Sequence, residues 1–118
     1  MTIRVLVADD QAMIRGALAG LLDLESDIEV VAQAADGAQA LEELARLASA
    51  DAPARASAPV DVAIVDVEMP RMDGITATQA IRSRFPGVRV LIVSTFGRPG
   101  YLQRALDAGA TGFMVKDA

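Results

Sequence analysis

The chain has 118 residues, 53% of them apolar, a formal net charge of -5, and neither cysteine nor histidine. That length holds one compact domain, residues 1–118, and not two; the composition excludes disulfides, thiolate or imidazole metal sites, cysteine and serine–histidine nucleophiles and an internal phosphohistidine. The acidic balance argues against this segment gripping nucleic acid, which requires Lys and Arg to neutralise phosphates.

The opening MTIRVLVADD lacks the basic region and apolar core of a signal peptide, and no apolar run approaches a bilayer span. The expectation is a folded cytoplasmic domain that makes no use of a membrane. Ile3–Ala8 is the first of five apolar runs that read as strands. After it, Met13, Ile14, Ala17, Leu18, Leu21 and Leu22 recur in i, i+4 pairs and give one helical stripe. Residues 28–32 form the second strand. Asp36 is placed to cap a second helix with Ala38, Leu41, Leu44, Ala45 and Ala48 on one face. Residues 49–59, SADAPARASAP, read as an exposed, mobile loop.

Residues 60–65 are the third strand, and Asp73 caps a third helix carrying Ile75, Thr78, Ile81 and Phe85. Residues 88–93 are the fourth strand. A short helix after Pro99 carries Leu102, Ala105 and Leu106 and ends at Gly109, and Gly112–Val115 is the fifth strand. The β-branched, nearly unbroken runs suit parallel strands covered on both faces. Their alternation with helices gives an α/β class, and right-handed crossovers favour a doubly wound sheet. A final helix is wanted after the fifth strand to cover one sheet face. With the sequence stopping at Ala118, the expectation is a fragment that leaves apolar sheet surface open.

In open parallel sheets chemistry gathers at the carboxyl ends of the strands, where strand order reverses. Here the first strand ends in Asp9 and Asp10, the third in Asp66, the fourth in Ser94 and Thr95, and the fifth in Lys116. Each alone reads most simply as a helix cap or a solvated loop residue. Together they bring three carboxylates, hydroxyls and an amine to one edge. Crowded carboxylates repel unless a cation sits among them, and oxygen-only ligands favour Mg2+ over zinc. A carboxylate can attack phosphorus to form an acyl phosphate, with the metal, an ammonium and a hydroxyl sharing the phosphoryl oxygens. Lys116 is the sole lysine beside ten arginines, which suits a position needing a compact point charge.

The strings VLVADD, VDVAIVDVEMPRMDG and GFMVKDA resemble the receiver domain of two-component response regulators, over nearly the whole chain. STFGRPGYLQRALDAGATGFMVKDA is similar to the NarL/LuxR subgroup. The resemblance implies a flavodoxin-like strand order of 2-1-3-4-5. It implies Asp66 as phospho-acceptor, with Asp9, Asp10, Asp66 and the backbone carbonyl of Glu68 holding Mg2+. It further implies Ser94 as the switch hydroxyl with Thr95 beside it, Lys116 as the phosphate-pairing lysine, and Phe113 as the aromatic that follows the switch. Glu68 and Phe96 occupy positions that set acyl-phosphate lifetime in this family. Asp117 follows Lys116 where many receivers carry proline. The implied partner is a sensor histidine kinase. The implied outcome is homodimerisation on phosphorylation, with DNA reached only through a transcriptional output domain absent from this chain. A receiver of this kind catalyses only its own phosphorylation and dephosphorylation. A haloacid-dehalogenase-type hydrolase also forms an aspartyl phosphate, but the chain lacks room for its larger core and cap. A receiver-like interaction module without phosphorylation would not need all these positions intact. A dinucleotide-binding domain would need a G-x-G-x-x-G after the first strand, which is missing.

Overall fold

A computed structural model describes residues 2–50, 58–94 and 100–115. Strands and helices alternate along the chain: β1 (Ile3–Ala8), α1 (Ala12–Asp23), β2 (Ile28–Ala34), α2 (Gly37–Ala50), β3 (Val62–Asp66), α3 (Gly74–Arg84), β4 (Arg89–Ser94), α4 (Tyr101–Asp107) and β5 (Gly112–Val115). The five strands are parallel throughout, in the order β2-β1-β3-β4-β5. This is the doubly wound, flavodoxin-like fold anticipated above. Its strand order reverses between β1 and β3, which fixes where a ligand crevice belongs.

The helices form where the sequence marks them. Asp36 Oδ1 accepts the Gln39 N–H at 2.8 Å to cap α2, and Asp73 Oδ1 accepts the Thr76 N–H at 2.8 Å to cap α3. Behind α4, Gly109 stands at φ 100, its N–H bonding to Leu106 O while the Ala110 N–H bonds to Ala105 O. That pair of bonds is a Schellman closure, and it places the helix end at Asp107 with Gly109 just beyond.

The core lies mainly between the sheet and α2, α3 and α4. Leu6, Leu44, Ala63, Val65, Ile81, Val90 and Ile92 are fully buried there. Each large side chain among them contributes about 1.5–3 kcal/mol of burial. The central strands carry this load; β2 and β5, at the sheet edges, keep solvent-facing positions such as Glu29, Gln33 and Met114. Covering on both faces therefore holds for residues 5–8 of β1, while on β3 and β4 Val65, Val90 and Ile92 are buried and Ile64, Leu91 and Val93 only partly so.

Several expected boundaries move. β2 continues to Ala34, and α2 takes in Ser49 and Ala50, which the sequence reading assigned to a loop. The rest of that loop, residues 51–57, lies outside the described residues. β3 starts at Val62, and Asp61 just before it is bonded to β1. Its N–H bonds to Arg4 O and its carboxylate accepts the Arg4 N–H, both at 2.8 Å. On α4 only Ala105 is buried, while Leu102 and Leu106 face outward.

α1 covers the opposite face of the sheet. Beside it lies an apolar groove of about 510 Å3 between Ile14, Leu18 and Leu21 and the sheet residues Ile64, Leu91 and Val93. The open apolar sheet surface expected from the sequence is present in this groove. Among the described residues, no helix is long and apolar enough to cross a membrane.

Candidate functional site

At the carboxyl edge of the sheet, β1 runs into Asp9 and Asp10. The Asp9 N–H bonds to Ala34 O at 3.0 Å, extending the β1–β2 pairing by one residue. Asp9 Oδ1 accepts the Gln11 N–H at 2.9 Å, closing the turn that starts α1. From one turn into that helix, Arg15 Nη1 donates to the Asp9 carbonyl at 2.7 Å. Asp9 is thereby buried and fixed, whereas Asp10 faces solvent.

Asp66 closes β3 on the neighbouring strand and is buried, with 7% exposure. The chain beyond it turns tightly. Val67 N–H bonds to Val93 O at 3.2 Å, and Gly74 N–H returns to Val67 O at 2.8 Å. A Cβ at Gly74 would collide with the Asp66 carbonyl, so only glycine lets α3 start this close to the acid.

The result is convergence. Asp9, Asp10 and Asp66 each offer a carboxylate oxygen, and these oxygens lie within 4.8 Å of one another. Two of the three acids are withdrawn from water, so their mutual repulsion is poorly screened. An all-oxygen donor set with one side open to solvent fits a hard divalent cation that retains waters.

Of the other expected site residues, Ser94, Phe113 and Glu68 are among those described. Ser94, with 2% exposure, ends β4 one residue past Val93, the register partner of Asp66. Phe113 sits half-buried on β5 opposite Ile92. The Glu68 side chain accepts the Tyr101 hydroxyl at 3.1 Å, which ties the β3–α3 connection to the first residue of α4. Thr95, Phe96 and Lys116 lie outside the described residues.

Sequence reasoning missed Arg71 and the second task of Asp36. Arg71 has φ 63 and is the one non-glycine with positive φ among the described residues. The Met72 N–H reaches back to Pro70 O at 2.6 Å, making a γ-turn centred on Arg71. Left-handed backbone costs an L residue about 1–2 kcal/mol. The guanidinium spans to Asp36, with Nε and Nη2 both 2.8 Å from Oδ2. The Asp36 carboxyl is held below its usual range, first by the Gln39 N–H and also by Arg71, with burial opposing. No local pattern reveals this pair, because the residues are remote in sequence and arginine carries no positive-φ signal.

Comparison with known proteins identifies residues 5–118 with the response regulator receiver domain. The uncharacterized transcriptional regulatory protein YvfU of Bacillus subtilis is 40% identical over 115 residues, covering 98% of this chain and 52% of YvfU. The receiver domain of the putative response regulator NarL from Mycobacterium tuberculosis superposes with a TM-score of 0.83 at 37% identity, covering 99% of this chain and 86% of that one. CheY in a CheX–CheY–BeF3–Mg complex from Borrelia burgdorferi gives a TM-score of 0.82 at 27% identity, covering 97% of this chain and 78% of the other. The chain spans about half the length of the relatives it matches in sequence.

Proposed function

The chain belongs to the response regulator receiver domain family, and from that premise we propose that Asp66 accepts a phosphoryl group from a sensor histidine kinase. The observation that carries this reading is the burial of Asp66 at the end of β3 with its carboxylate beside those of Asp9 and Asp10. An Asp66 oxygen attacks the phosphorus of the donor, the bond to the donor nitrogen breaks, and an acyl phosphate remains on the protein. Asp9, Asp10, Asp66 and the backbone carbonyl of Glu68 would hold an Mg2+ ion. When bound, that ion neutralises charge on the attacking and phosphoryl oxygens. Ser94 supplies a hydroxyl, and Lys116 an ammonium, to the remaining phosphoryl oxygens.

Signalling follows from differential contact. The dianion draws Ser94 and Lys116 toward Asp66 and biases Thr95, α4 and the rotamer of Phe113, which alters a surface used for homodimerisation. The chain is a cytoplasmic regulatory phospho-acceptor whose only catalysis is its own phosphorylation and dephosphorylation. In this reading residues 1–118 are the input half of a transcriptional regulator, and a separate output domain meets DNA. The test uses acetyl phosphate with Mg2+ and intact-protein mass spectrometry. A single phosphoryl adduct is expected on the wild type and none on Asp66→Asn; an adduct that persists in Asp66→Asn refutes the assignment.

A further inference from the structure

Both halves of the proposed site are fastened to the turn between β2 and α2, although that turn carries none of the groups assigned to the chemistry. On one side the Ala34 carbonyl accepts the Asp9 N–H at 3.0 Å. On the other, Asp36 receives both bonds from the Arg71 guanidinium, and the Gly37 N–H bonds to Met72 O at 3.0 Å. A Cβ on Gly37 would stand 2.6 Å from that oxygen, so the two backbones meet with no room for a side chain. The four residues from Ala34 to Gly37 thus touch the Asp9 backbone and the middle of the β3–α3 connection at once.

We propose that Arg71, held by Asp36, is a positioning residue for the divalent-cation site. It fixes residues 67–73, and with them the backbone carbonyl of Glu68, relative to Asp9 and Asp10. The inference rests on the cation site proposed above. The connection is fixed at its ends by the Val67 bonds to Val93 and Gly74. Its middle is tied across to α2 through Arg71 and Met72, at the place where the backbone adopts φ 63. Left to itself an L residue leaves that conformation; the paired guanidinium and the Gly37 bond keep it there. A carbonyl three residues before Arg71 then keeps one direction. Groups behind metal ligands that orient them in this way change affinity by on the order of 10–100-fold when removed. This link acts through backbone, so the lower end of that range applies.

The experiment measures Mn2+ binding to the 118-residue chain by electron paramagnetic resonance, with Mg2+ as competitor, in wild type, Arg71→Gly, Asp36→Asn, Arg71→Lys and Asp10→Asn. Arg71→Gly removes the ion pair while relieving the positive φ, and Asp36→Asn removes it while keeping a capping oxygen. Both are expected to weaken Mn2+ binding about ten-fold, with Arg71→Lys restoring part of the loss. The maximal labelling rate at saturating Mg2+ stays near wild type. A purely structural role would lower the unfolding temperature and leave the Mn2+ affinity of the folded protein alone. Affinity within about two-fold of wild type in both folded variants overturns the proposal, as does tighter binding by Arg71→Gly, which strain relief alone would produce. If Asp10→Asn abolishes binding and Arg71→Gly retains it, the positioning role fails and the cation site stands. A wild type that binds no Mn2+ overturns both.

Discussion

Asp36 shows how one buried carboxylate can serve two elements. One oxygen caps α2 through Gln39 and the other anchors Arg71. Both partners favour the ionised form, and together they outweigh burial. Its folded pKa therefore lies below the unfolded value of about 3.9. Between those two values the unfolded chain binds a proton that the native state does not, so stability rises with pH there. The contribution is complete above the unfolded value and is lost as pH falls through the folded one. At neutral pH, Asp36→Asn should cost about 1 kcal/mol, because Arg71 is largely exposed and asparagine still caps the helix. Thermal unfolding followed from pH 7 downward should show a constant gap between wild type and variant until about pH 4, and a closing gap below it. A gap that stays unchanged into strong acid would mean that the charge contributes nothing.

Among the elements, caps and stops were the legible features. Asp36, Asp73 and Gly109 mark helix ends in the sequence and do so in the structure. The strands were legible too, because central parallel strands leave long apolar runs. Boundaries are less legible, as at β3, which the apolar run places at residues 60–65 and which runs over Val62–Asp66. The faces of α1 and α4 are legible only as apolar stripes. Met13, Leu21, Leu102 and Leu106 have the spacing of a buried stripe, yet each is about half exposed or more. Periodicity reports that an apolar face exists and says nothing of what meets it. The acids at the strand ends could be read because topology sends every strand end to one edge. The Arg71–Asp36 link could not, because it depends on a turn conformation that glycine would have announced and arginine does not. For Asp73 the consequence is local. Asp73→Ala leaves the N-terminus of α3 uncapped and should cost about 1 kcal/mol, which circular dichroism would register as a fall of about 4 °C in the unfolding temperature. No change would mean that water or a neighbouring group replaces the carboxylate.

At the scale of the whole molecule, the acid cluster sets charge repulsion against the burial that holds the sheet together. Three carboxylate oxygens lie within 4.8 Å of one another on a chain of net charge -5, so these acids repel one another at that edge. The unfolded chain separates these acids, since Asp9 and Asp66 are far apart in sequence, so a cation that bridges them binds the native state alone. If Mg2+ takes the site proposed above, linkage stabilises the fold by about 2.7 kcal/mol at a hundred-fold excess over its dissociation constant. For a domain of this length that raises the unfolding temperature by about 10 °C. Simple screening would produce a smaller effect with any salt, so NaCl at matched ionic strength is the necessary comparison. Differential scanning fluorimetry should show a saturable rise with MgCl2, reversal by a chelator, little response to NaCl, and loss of the Mg2+-specific part in Asp10→Asn. Asp10 is the informative choice because it is the exposed member of the cluster, and its replacement leaves the buried Asp9 and Asp66 contacts intact. Equal shifts with the two salts would show that the acids sense ionic strength only, and that the strand-end cluster is not a cation site.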